Sequence, residues 1–408
     1  MSNGNIYDFS NPEKLEFSIR LAGEDPHFMY LQFKLAKYFE SKIEPGSDEA
    51  LTQTVKFYKL AARNGHKLAN CNLGACYYKL GRHKEAFISY EEAAKQGNAY
   101  AHYFLGYCYE YAVGVERNKI KAFELYEQAA KQGNSHGQYN LGRCYENGIG
   151  VDINKVEAVK WYRKSAEQGN SQARYCVGWC YEYGIGVNNV DKVEAVKWYE
   201  KSAEQGNDWG RYNLGRCYEI GIGVDINKVE AVKWYRKSAE QGNSSGQYSI
   251  GWCCEYGIGV DKVDNVEAAR WYRKSAEQGN SCGQYRLGRC YENGVGVERN
   301  EVKAFELYKQ AAEQGHSEAE YKLSNCYLFG IGVAADKKEA YEWCKKSANQ
   351  EYDMAIASLD DLEKEVIKIK TNEDRVSYDA KRLYENAPEF ALIKATATAS
   401  SIENYLFL

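Results

Sequence analysis

The chain has 408 residues and a formal net charge of −4, and its charged residues form no long run of one sign. This balance argues against a nucleic-acid-binding surface and against binding to an anionic membrane. We find neither the basic and apolar segments of a signal peptide nor an apolar stretch of about 18 residues that could span a bilayer. We therefore expect an intracellular, cytoplasmic protein without membrane insertion.

A repeat of 36 or 37 residues is the dominant pattern of the sequence. Residues 138–171 and 211–244 differ at only two of 34 positions. One glycine, which we name the repeat glycine, marks each copy. It recurs at Gly74, Gly106, Gly142, Gly178, Gly215, Gly251 and Gly288, and the next step reaches Ser324. A fixed period of this length predicts a solenoid, in which similar structural units stack along one axis.

The first 97 residues follow the repeat less closely. We interpret residues 1–64 as a degenerate N-terminal helical repeat or cap, with an insertion around residues 44–47. Residues 65–97 lack the glycine-rich loop of the later copies. We expect them to form a shorter helix pair.

Residues 135–169 represent the regular copies. Leu141, Cys144 and Tyr145 recur at helical spacing and predict a first helix, helix A, that ends at Gly148. After a tight loop, a capping-box spacing predicts the start of a second helix, helix B. This spacing is seen at Asn154 and Glu157, Asp191 and Glu194, Asn227 and Glu230, Asp264 and Glu267, and Asp336 and Glu339. The predicted fold class is all-α, a right-handed α-solenoid of stacked antiparallel helix pairs.

The pattern A/G-x-x-x-L-G-x-C-Y-x-x-G-x-G-V, followed by E-A-x-x-W-Y-x-K-S-A-x-Q-G, resembles the Sel-1-like repeat. That family is related to the tetratricopeptide repeat but has a longer loop. The resemblance covers seven tandem copies in residues 98–351, whereas residues 65–97 are similar to a tetratricopeptide unit. It implies adaptor roles, including protein quality control and contacts between a microbe and its host. Ala112 replaces the family's loop glycine, so we expect a different loop in the first full copy.

The end of the sequence predicts a cap. In residues 352–384, apolar residues at helical spacing alternate with charged ones, which favours capping helices with a polar outer face. Residues 385–408 contain Pro388 and the run TATATASS, and we expect a flexible tail there.

No catalytic site, metal site or cofactor is predicted. The chain has thirteen cysteines, which favour a reducing compartment and free thiols. Eight of them occupy one core position, two residues after the repeat glycine: Cys76, Cys108, Cys144, Cys180, Cys217, Cys253, Cys290 and Cys326. The six histidines do not recur beside any candidate nucleophile, and no cysteine–histidine cluster has the spacing of metal ligands.

By resemblance to tetratricopeptide units, three positions of helix A line the concave surface of the solenoid. The first is a tyrosine, the second alternates between arginine and tryptophan, and the third lies one turn later. The candidate binding residues at these positions are Tyr139, Arg143, Asn147, Tyr175, Trp179, Tyr183, Tyr212, Arg216, Tyr248, Trp252, Tyr256, Tyr285 and Arg289. Such side chains often dominate binding energy. They could instead pack between helices, or arginine could stack on tryptophan within the fold.

The sequence thus predicts a non-enzymatic scaffold or adaptor that binds a protein or peptide partner along this groove. One alternative is a purely structural spacer or self-assembling rod. Another is a hydrolase or saccharide-binding repeat protein, although no copy in residues 98–351 departs from the repeat by adding polar residues.

Overall fold

The computed structural model describes residues 9–23, 25–43 and 48–386. Within these ranges the chain forms twenty α-helices and one short 3₁₀-helix, Pro26–Phe28, and none of these residues lies in a β-strand. The chain divides into two compact units. They are an N-terminal unit, Met1–Asn227, and a C-terminal unit, Lys228–Leu408.

The helices of each unit follow one another without other secondary structure. Those of the N-terminal unit are α1 Pro12–Ala22, α2 Met29–Glu40, α3 Asp48–Arg63, α4 Ala69–Lys79, α5 His83–Lys95, α6 Ala99–Tyr111, α7 Lys119–Lys131, α8 Ser135–Asn147, α9 Lys155–Glu167, α10 Ser171–Tyr183, α11 Lys192–Glu204 and α12 Asp208–Ile220. Those of the C-terminal unit are α13 Lys228–Glu240, α14 Ser244–Tyr256, α15 Asn265–Glu277, α16 Ser281–Asn293, α17 Glu301–Glu313, α18 Ser317–Phe329, α19 Lys337–Asn349 and α20 Asp353–Asn386.

Within each unit, helices that are neighbours in sequence are neighbours in space. Helix A packs on helix B of its own copy, as α8 does on α9, and helix B packs on helix A of the next copy, as α9 does on α10. Helix A also contacts the following helix A, as between α10 and α12 and between α14 and α16. The predicted fold class, an all-α solenoid of stacked antiparallel helix pairs, is confirmed.

Two glycines shape the loop between helix A and helix B. Gly148 ends α8 in the left-handed conformation, with φ of 69°, and its N–H donates to the carbonyl oxygen of Cys144. Gly150 also has a positive φ, and a Cβ there would overlap the main chain of Lys119 at the start of the preceding helix B. Glycine at this position therefore lets neighbouring copies approach closely.

The expectation of a different loop at Ala112 is wrong. Ala112 adopts the same left-handed conformation as Gly148, with φ of 59° and ψ of 39°. The next residue, Val113, donates to the carbonyl oxygen of Cys108, as Ile149 donates to that of Cys144. This conformation costs a non-glycine residue about 1–2 kcal/mol. The packing of the copy imposes the loop despite that cost.

A side chain caps the N-terminus of α7, α9, α11, α15, α17 and α19, but the predicted capping box forms only in part. The Asn154 side chain accepts a hydrogen bond from the main-chain N–H of Glu157, at 3.1 Å. The N–H of Asn154 donates to the carbonyl oxygen of Tyr145 instead of to the Glu157 side chain. Glu157 forms an ion pair with Lys160, at 2.6 Å. The loop thus supplies the acceptor that a full capping box takes from its glutamate.

The core of each regular copy centres on a tyrosine of helix B. Tyr162 is fully buried, and a Cβ added to the repeat glycine Gly142 would lie only 2.6 Å from its ring. The Tyr162 hydroxyl donates to the Glu146 carboxylate, at 2.6 Å. Equivalent tyrosine–glutamate bonds join Tyr126 to Glu110, Tyr199 to Glu182, Tyr272 to Glu255, and Tyr308 to Glu292. The repeat glycine is therefore needed because a tyrosine ring lies directly against it.

One copy shows that the two residues change size together. In the copy beginning at α18, Ser324 replaces the repeat glycine and Cys344 replaces the buried tyrosine. Both side chains are fully buried, and the Ser324 hydroxyl donates to the carbonyl oxygen of Ala340, at 2.7 Å. The larger residue on helix A is accommodated because the residue on helix B is smaller.

The last described helix, α20, covers the end of the C-terminal unit. Its residues Ala355 and Leu362 are buried in a cluster with Ala340 and Cys344 of α19. The sequence predicts several capping helices in residues 352–384, whereas the structure has the single helix α20. The predicted flexible tail falls largely on residues 387–408, which lie outside the described residues. No helix in the described ranges has the length and apolar character needed to cross a membrane.

The contact between Gly142 and Tyr162 gives a quantitative prediction. Gly142→Ala should lower the free energy of unfolding by about 1–3 kcal/mol because the new methyl group overlaps the Tyr162 ring. Gly142→Ser combined with Tyr162→Cys copies the residues Ser324 and Cys344. The loss of unfolding free energy in this double variant should be smaller than the sum of the losses in the two single variants by about 1–3 kcal/mol. Urea denaturation of the four proteins of this cycle measures both values. Strict additivity would show that the two positions are independent.

Candidate functional site

The thirteen candidate binding residues lie on helix A of five successive copies. We name the surface that these positions form within each unit the helix A face. In the N-terminal unit it belongs to α8, α10 and α12, and in the C-terminal unit to α14 and α16. The tyrosine position and the arginine or tryptophan position are half-buried throughout, whereas Asn147, Tyr183 and Tyr256 are exposed.

The tyrosine position of the helix A face packs partly into the fold. Tyr139 lies against the buried Tyr162, with 5.8 Å between ring centroids, and Tyr175 lies in the same way against Tyr199, at 6.2 Å. Burial raises the pKa of Tyr139 to about 12. These tyrosines therefore form the floor of the helix A face, and their outer edges remain accessible.

Arg143 links two copies of the repeat. Its guanidinium donates to the carboxylate of Glu110 at 3.1 Å, to the Tyr111 hydroxyl at 3.2 Å and to the Asn140 side chain at 2.7 Å. Glu110 and Tyr111 belong to the preceding helix A. Burial disfavours the charged form of Arg143, but the Glu110 carboxylate more than compensates, and the pKa of Arg143 is raised.

Arg216 repeats this arrangement one repeat pair later. It donates to Glu182 at 3.1 Å, to Tyr183 at 3.3 Å and to Asn213 at 2.7 Å. The structure thus gives both arginines a role within the fold, which the sequence left open. Each arginine neutralises a buried glutamate of the preceding copy.

The C-terminal unit uses a different arginine for this purpose. Arg286, and not the predicted Arg289, lies over the ring of Trp252, 4.1 Å from its centroid. Arg286 also donates to the Tyr256 hydroxyl at 2.9 Å and lies 3.9 Å from a carboxylate oxygen of Glu255. Sequence reasoning missed Arg286 because the residue lies outside the three positions taken from tetratricopeptide units.

In the N-terminal unit, α10 and α12 form an aromatic cluster that is open to solvent. The rings of Trp179 and Tyr183 are 4.2 Å apart, and those of Tyr175 and Trp209 are 6.3 Å apart. Tyr183 is 46% exposed and Trp209 is 43% exposed. We name Tyr175, Trp179, Tyr183 and Trp209 the aromatic cluster.

Trp209 was not among the predicted site residues. It occupies the repeat position of His136, which shares a helical stripe with Tyr139, Arg143 and Asn147. That stripe was the available signal. The position carries Gln172, Ser245, Cys282 and Glu318 in other copies, so the repeat pattern itself did not single out Trp209.

Family comparison assigns most of these helix pairs. The family model for the Sel1 repeat matches residues 30–66, 99–134, 135–170, 171–207, 210–243, 244–280, 283–316 and 317–352, which together make up more than half of the chain. The chain belongs to the Sel1 repeat family.

Two solved Sel1 repeat structures resemble the chain. A protective antigen of uropathogenic Escherichia coli strains, which displays an SLR fold, is 26% identical with a TM-score of 0.56, and the match covers 96% of this chain and 98% of the antigen. A Sel1 repeat protein from Oxalobacter formigenes is 34% identical with a TM-score of 0.55, and the match covers 59% of this chain and 96% of that protein. No protein of curated function matches the sequence.

Helix B of the Sel1 repeats carries a second set of tryptophans, which differs from the aromatic cluster. A lysine three residues later lies over each ring, as Lys164 does over Trp161 at 4.2 Å from the centroid. The same contact joins Lys201 to Trp198, Lys237 to Trp234, Lys274 to Trp271, and Lys346 to Trp343. These rings are shielded by the chain's own lysines, unlike Trp209 and Tyr183 of the aromatic cluster.

The eight recurring cysteines of the Sel1 repeats are core residues. All thirteen are free thiols, and the eight at the shared position are buried. Burial raises the pKa of Cys144 and of Cys180 to about 12, which keeps both thiols protonated at neutral pH and unreactive as nucleophiles. Over the ranges that the structure describes, no group of three or more His, Cys, Asp and Glu side chains could hold a metal ion.

Removing Arg143 should destabilise the fold. Arg143→Ala leaves the Glu110 side chain, which is 5% exposed, without its cation. We expect a loss of about 2–3 kcal/mol in the free energy of unfolding, less than for a fully buried pair because Arg143 is partly solvated. Glu110→Gln with Arg143→Leu should cost less than Arg143→Ala alone, since no charge is then left unpaired. Urea denaturation tests this order, and the reverse order would refute the role given to Arg143.

Stability should fall at alkaline pH. Burial raises the pKa of Tyr126, Tyr162 and Tyr308, and the neighbouring glutamates raise it further. The folded state therefore keeps protons that the unfolded state loses above about pH 10, and stability present below that pH is lost as the pH rises. Each such tyrosine adds up to about 1.4 kcal/mol per pH unit to the slope, once the unfolded tyrosine is fully ionised. Since that tyrosine is half ionised near pH 10, Tyr162→Phe should reduce the mean slope between pH 9 and 11 by about 0.7 kcal/mol per pH unit in urea denaturation. Equal slopes would contradict the prediction.

Proposed function

We propose that this Sel1 repeat protein is a non-enzymatic scaffold that binds an extended protein segment along the helix A face. The observation that carries the proposal is the aromatic cluster, where Trp209 and Tyr183 stay nearly half exposed while the tryptophans of helix B are covered by lysines. Repeat folds of this class commonly mediate protein–protein interaction. Tryptophan and tyrosine are the residues that most often dominate such interfaces.

The geometry of the aromatic cluster supports binding with little loss of side-chain freedom. Tyr175 packs on the buried Tyr199, and Tyr183 is held by the hydrogen bond from Arg216. Rings fixed in this way lose little rotamer entropy when a partner covers them. The ion pair of Arg216 with Glu182 therefore serves the site indirectly, by fixing Tyr183.

An extended segment suits this surface better than a compact ligand does. The tyrosine and arginine or tryptophan positions recur on successive copies, and stacked helices lie roughly 8–10 Å apart. An extended chain advances about 3.3 Å per residue, so about three residues of a bound segment would span one copy. We further propose that the protein acts inside the cell, because all thirteen cysteines are free thiols.

Affinity capture with a surface-matched control tests the proposal. The double variant Tyr183→Ser with Trp209→Ser should lower the amount of each partner captured by the wild-type protein at least tenfold, as measured by quantitative mass spectrometry. Each substitution removes a central aromatic contact worth about 2 kcal/mol. Val156→Ser with Val193→Ser is the matched control, because these helix B residues are 54% and 55% exposed. We expect the control to retain the partners.

The opposite result would reject the helix A face. If the control loses the partners and the Tyr183 and Trp209 variant keeps them, the binding surface lies on helix B. Circular dichroism and urea denaturation of both variants verify that neither has lost its fold.

A further inference from the structure

The C-terminal unit contains a tryptophan–tyrosine pair that is covered by an arginine of the same chain. The rings of Trp252 and Tyr256 are 4.3 Å apart with 41° between their planes. Arg286, from the next helix A, places its guanidinium 4.1 Å from the Trp252 centroid and donates to the Tyr256 hydroxyl at 2.9 Å. Glu255 lies 3.9 Å from the same guanidinium. This arrangement is a complete guanidinium site.

The N-terminal unit contains nearly the same pair without an arginine over the indole ring. Its Arg216 donates to the Tyr183 hydroxyl and to Glu182, the residues equivalent to Tyr256 and Glu255. The rings of Trp179 and Tyr183 are 4.2 Å apart with 39° between their planes. The residue equivalent to Arg286 is Asn213, which is buried and accepts a hydrogen bond from Arg216. Within the described ranges, no lysine or arginine lies over the Trp179 ring as Arg286 lies over Trp252.

One glutamate of the preceding copy, Glu146, lacks among the described residues the cationic partner that four of its equivalents in other copies have. Four glutamates at this repeat position pair with a cation of the following helix A: Glu110 with Arg143, Glu182 with Arg216, Glu255 with Arg286, and Glu292 with Lys322. Glu146 forms no such pair with any residue of the described ranges, because Trp179 occupies the position of the arginine. Its carboxylate accepts the Tyr162 hydroxyl, and Lys155 donates only to its main-chain oxygen.

We infer that the partner segment places an arginine side chain against Trp179 and Tyr183, in the place that Arg286 takes against Trp252 and Tyr256. The inference rests on the proposed function and specifies the chemistry of the bound segment. A guanidinium stacks on an indole ring and donates to hydroxyl and carboxylate oxygens at the same time. Trp209, whose place is taken by Cys282 in the C-terminal unit, adds an aromatic wall beside the site.

Arg216 lies beside the site but does not exclude a second guanidinium. Its charge is balanced by Glu182, at 3.1 Å. The equivalent residue Arg289 lies three residues after Arg286 on one face of α16, and the fold accommodates both. The C-terminal unit thus shows that two guanidinium groups share this neighbourhood.

Fluorine NMR of the full chain labelled with 5-fluorotryptophan tests the inference directly. The probe is the peptide acetyl-Gly-Arg-Gly-amide, and its citrulline analogue, which has the same shape without the charge, is the control. The Trp179 resonance, assigned with Trp179→Phe, should shift saturably with the arginine peptide at millimolar concentration. The response to citrulline should be weaker by about tenfold. Glu146→Gln should also weaken the arginine response severalfold.

Trp252 supplies a matched site in the same molecule. In the wild-type chain its resonance should not respond, because Arg286 already covers the ring. In Arg286→Ala it should respond to the arginine peptide as Trp179 does, while the unchanged resonances of the helix B tryptophans report an intact fold. A Trp179 resonance that does not respond, or that responds equally to citrulline, would overturn the inference. So would a response of Trp252 in the wild-type chain, or its absence in Arg286→Ala.

The two experiments distinguish failure of the arginine inference from failure of the proposed function. If the Tyr183 and Trp209 variant loses the captured partners but the arginine peptide does not bind, the helix A face binds a segment of other chemistry. If the arginine peptide binds but the partners are retained by that variant, the guanidinium site stands and the proposed function is wrong.

Discussion

The close contact between a buried tyrosine ring and the repeat glycine is the interaction on which the rest of the fold depends. In the copy of α8 and α9, the Tyr162 ring packs directly against Gly142, and its hydroxyl donates to the Glu146 carboxylate at 2.6 Å. Burying an aromatic side chain contributes roughly 2–3 kcal/mol, and a buried hydroxyl must find a partner or the gain is lost. The glutamate side chain is therefore held toward the core as the hydrogen-bond acceptor of the tyrosine hydroxyl. In several copies it then pairs with a cation of the next helix A, so one chain of contacts sets the geometry within a copy and between copies.

This chain of contacts explains why the helix A face carries both structural and candidate binding residues. Arg143 and Arg216 are used to neutralise glutamates, and the tyrosine position is used as a floor over the buried tyrosines. The positions that remain free to differ are those that no neighbouring copy requires. Trp209 is at such a position, whereas Trp179 replaces the arginine that other copies use. Together they produce the aromatic cluster on α10 and α12. Because each copy contacts mainly its neighbours, such local changes do not disturb the remaining copies.

The departures from the repeat show which features are required. Ala112 adopts the left-handed conformation that glycine adopts elsewhere, because the loop hydrogen bonds and the preceding copy leave the chain no other path. Ser324 is tolerated because Cys344 vacates the volume of the tyrosine ring. In both cases the shape of the copy is preserved although the residue changes. The constraint therefore acts on space and main-chain geometry, and the identity of a single side chain follows from it.

The sequence by itself determined the period, the helix pairs and the family, because glycine, leucine and cysteine recur at fixed helical spacing and such spacing has few other solutions. It also determined that the eight recurring cysteines lie in the core. Only the tertiary structure decided which arginine meets which glutamate, since Arg143 and Arg286 come from different repeat positions yet perform similar pairing. It also decided that Trp209 joins the aromatic cluster, because that contact crosses from one helix A to the next. Spacing within one helix fixes a face, but a contact between copies depends on how the helices stack, which no single copy encodes.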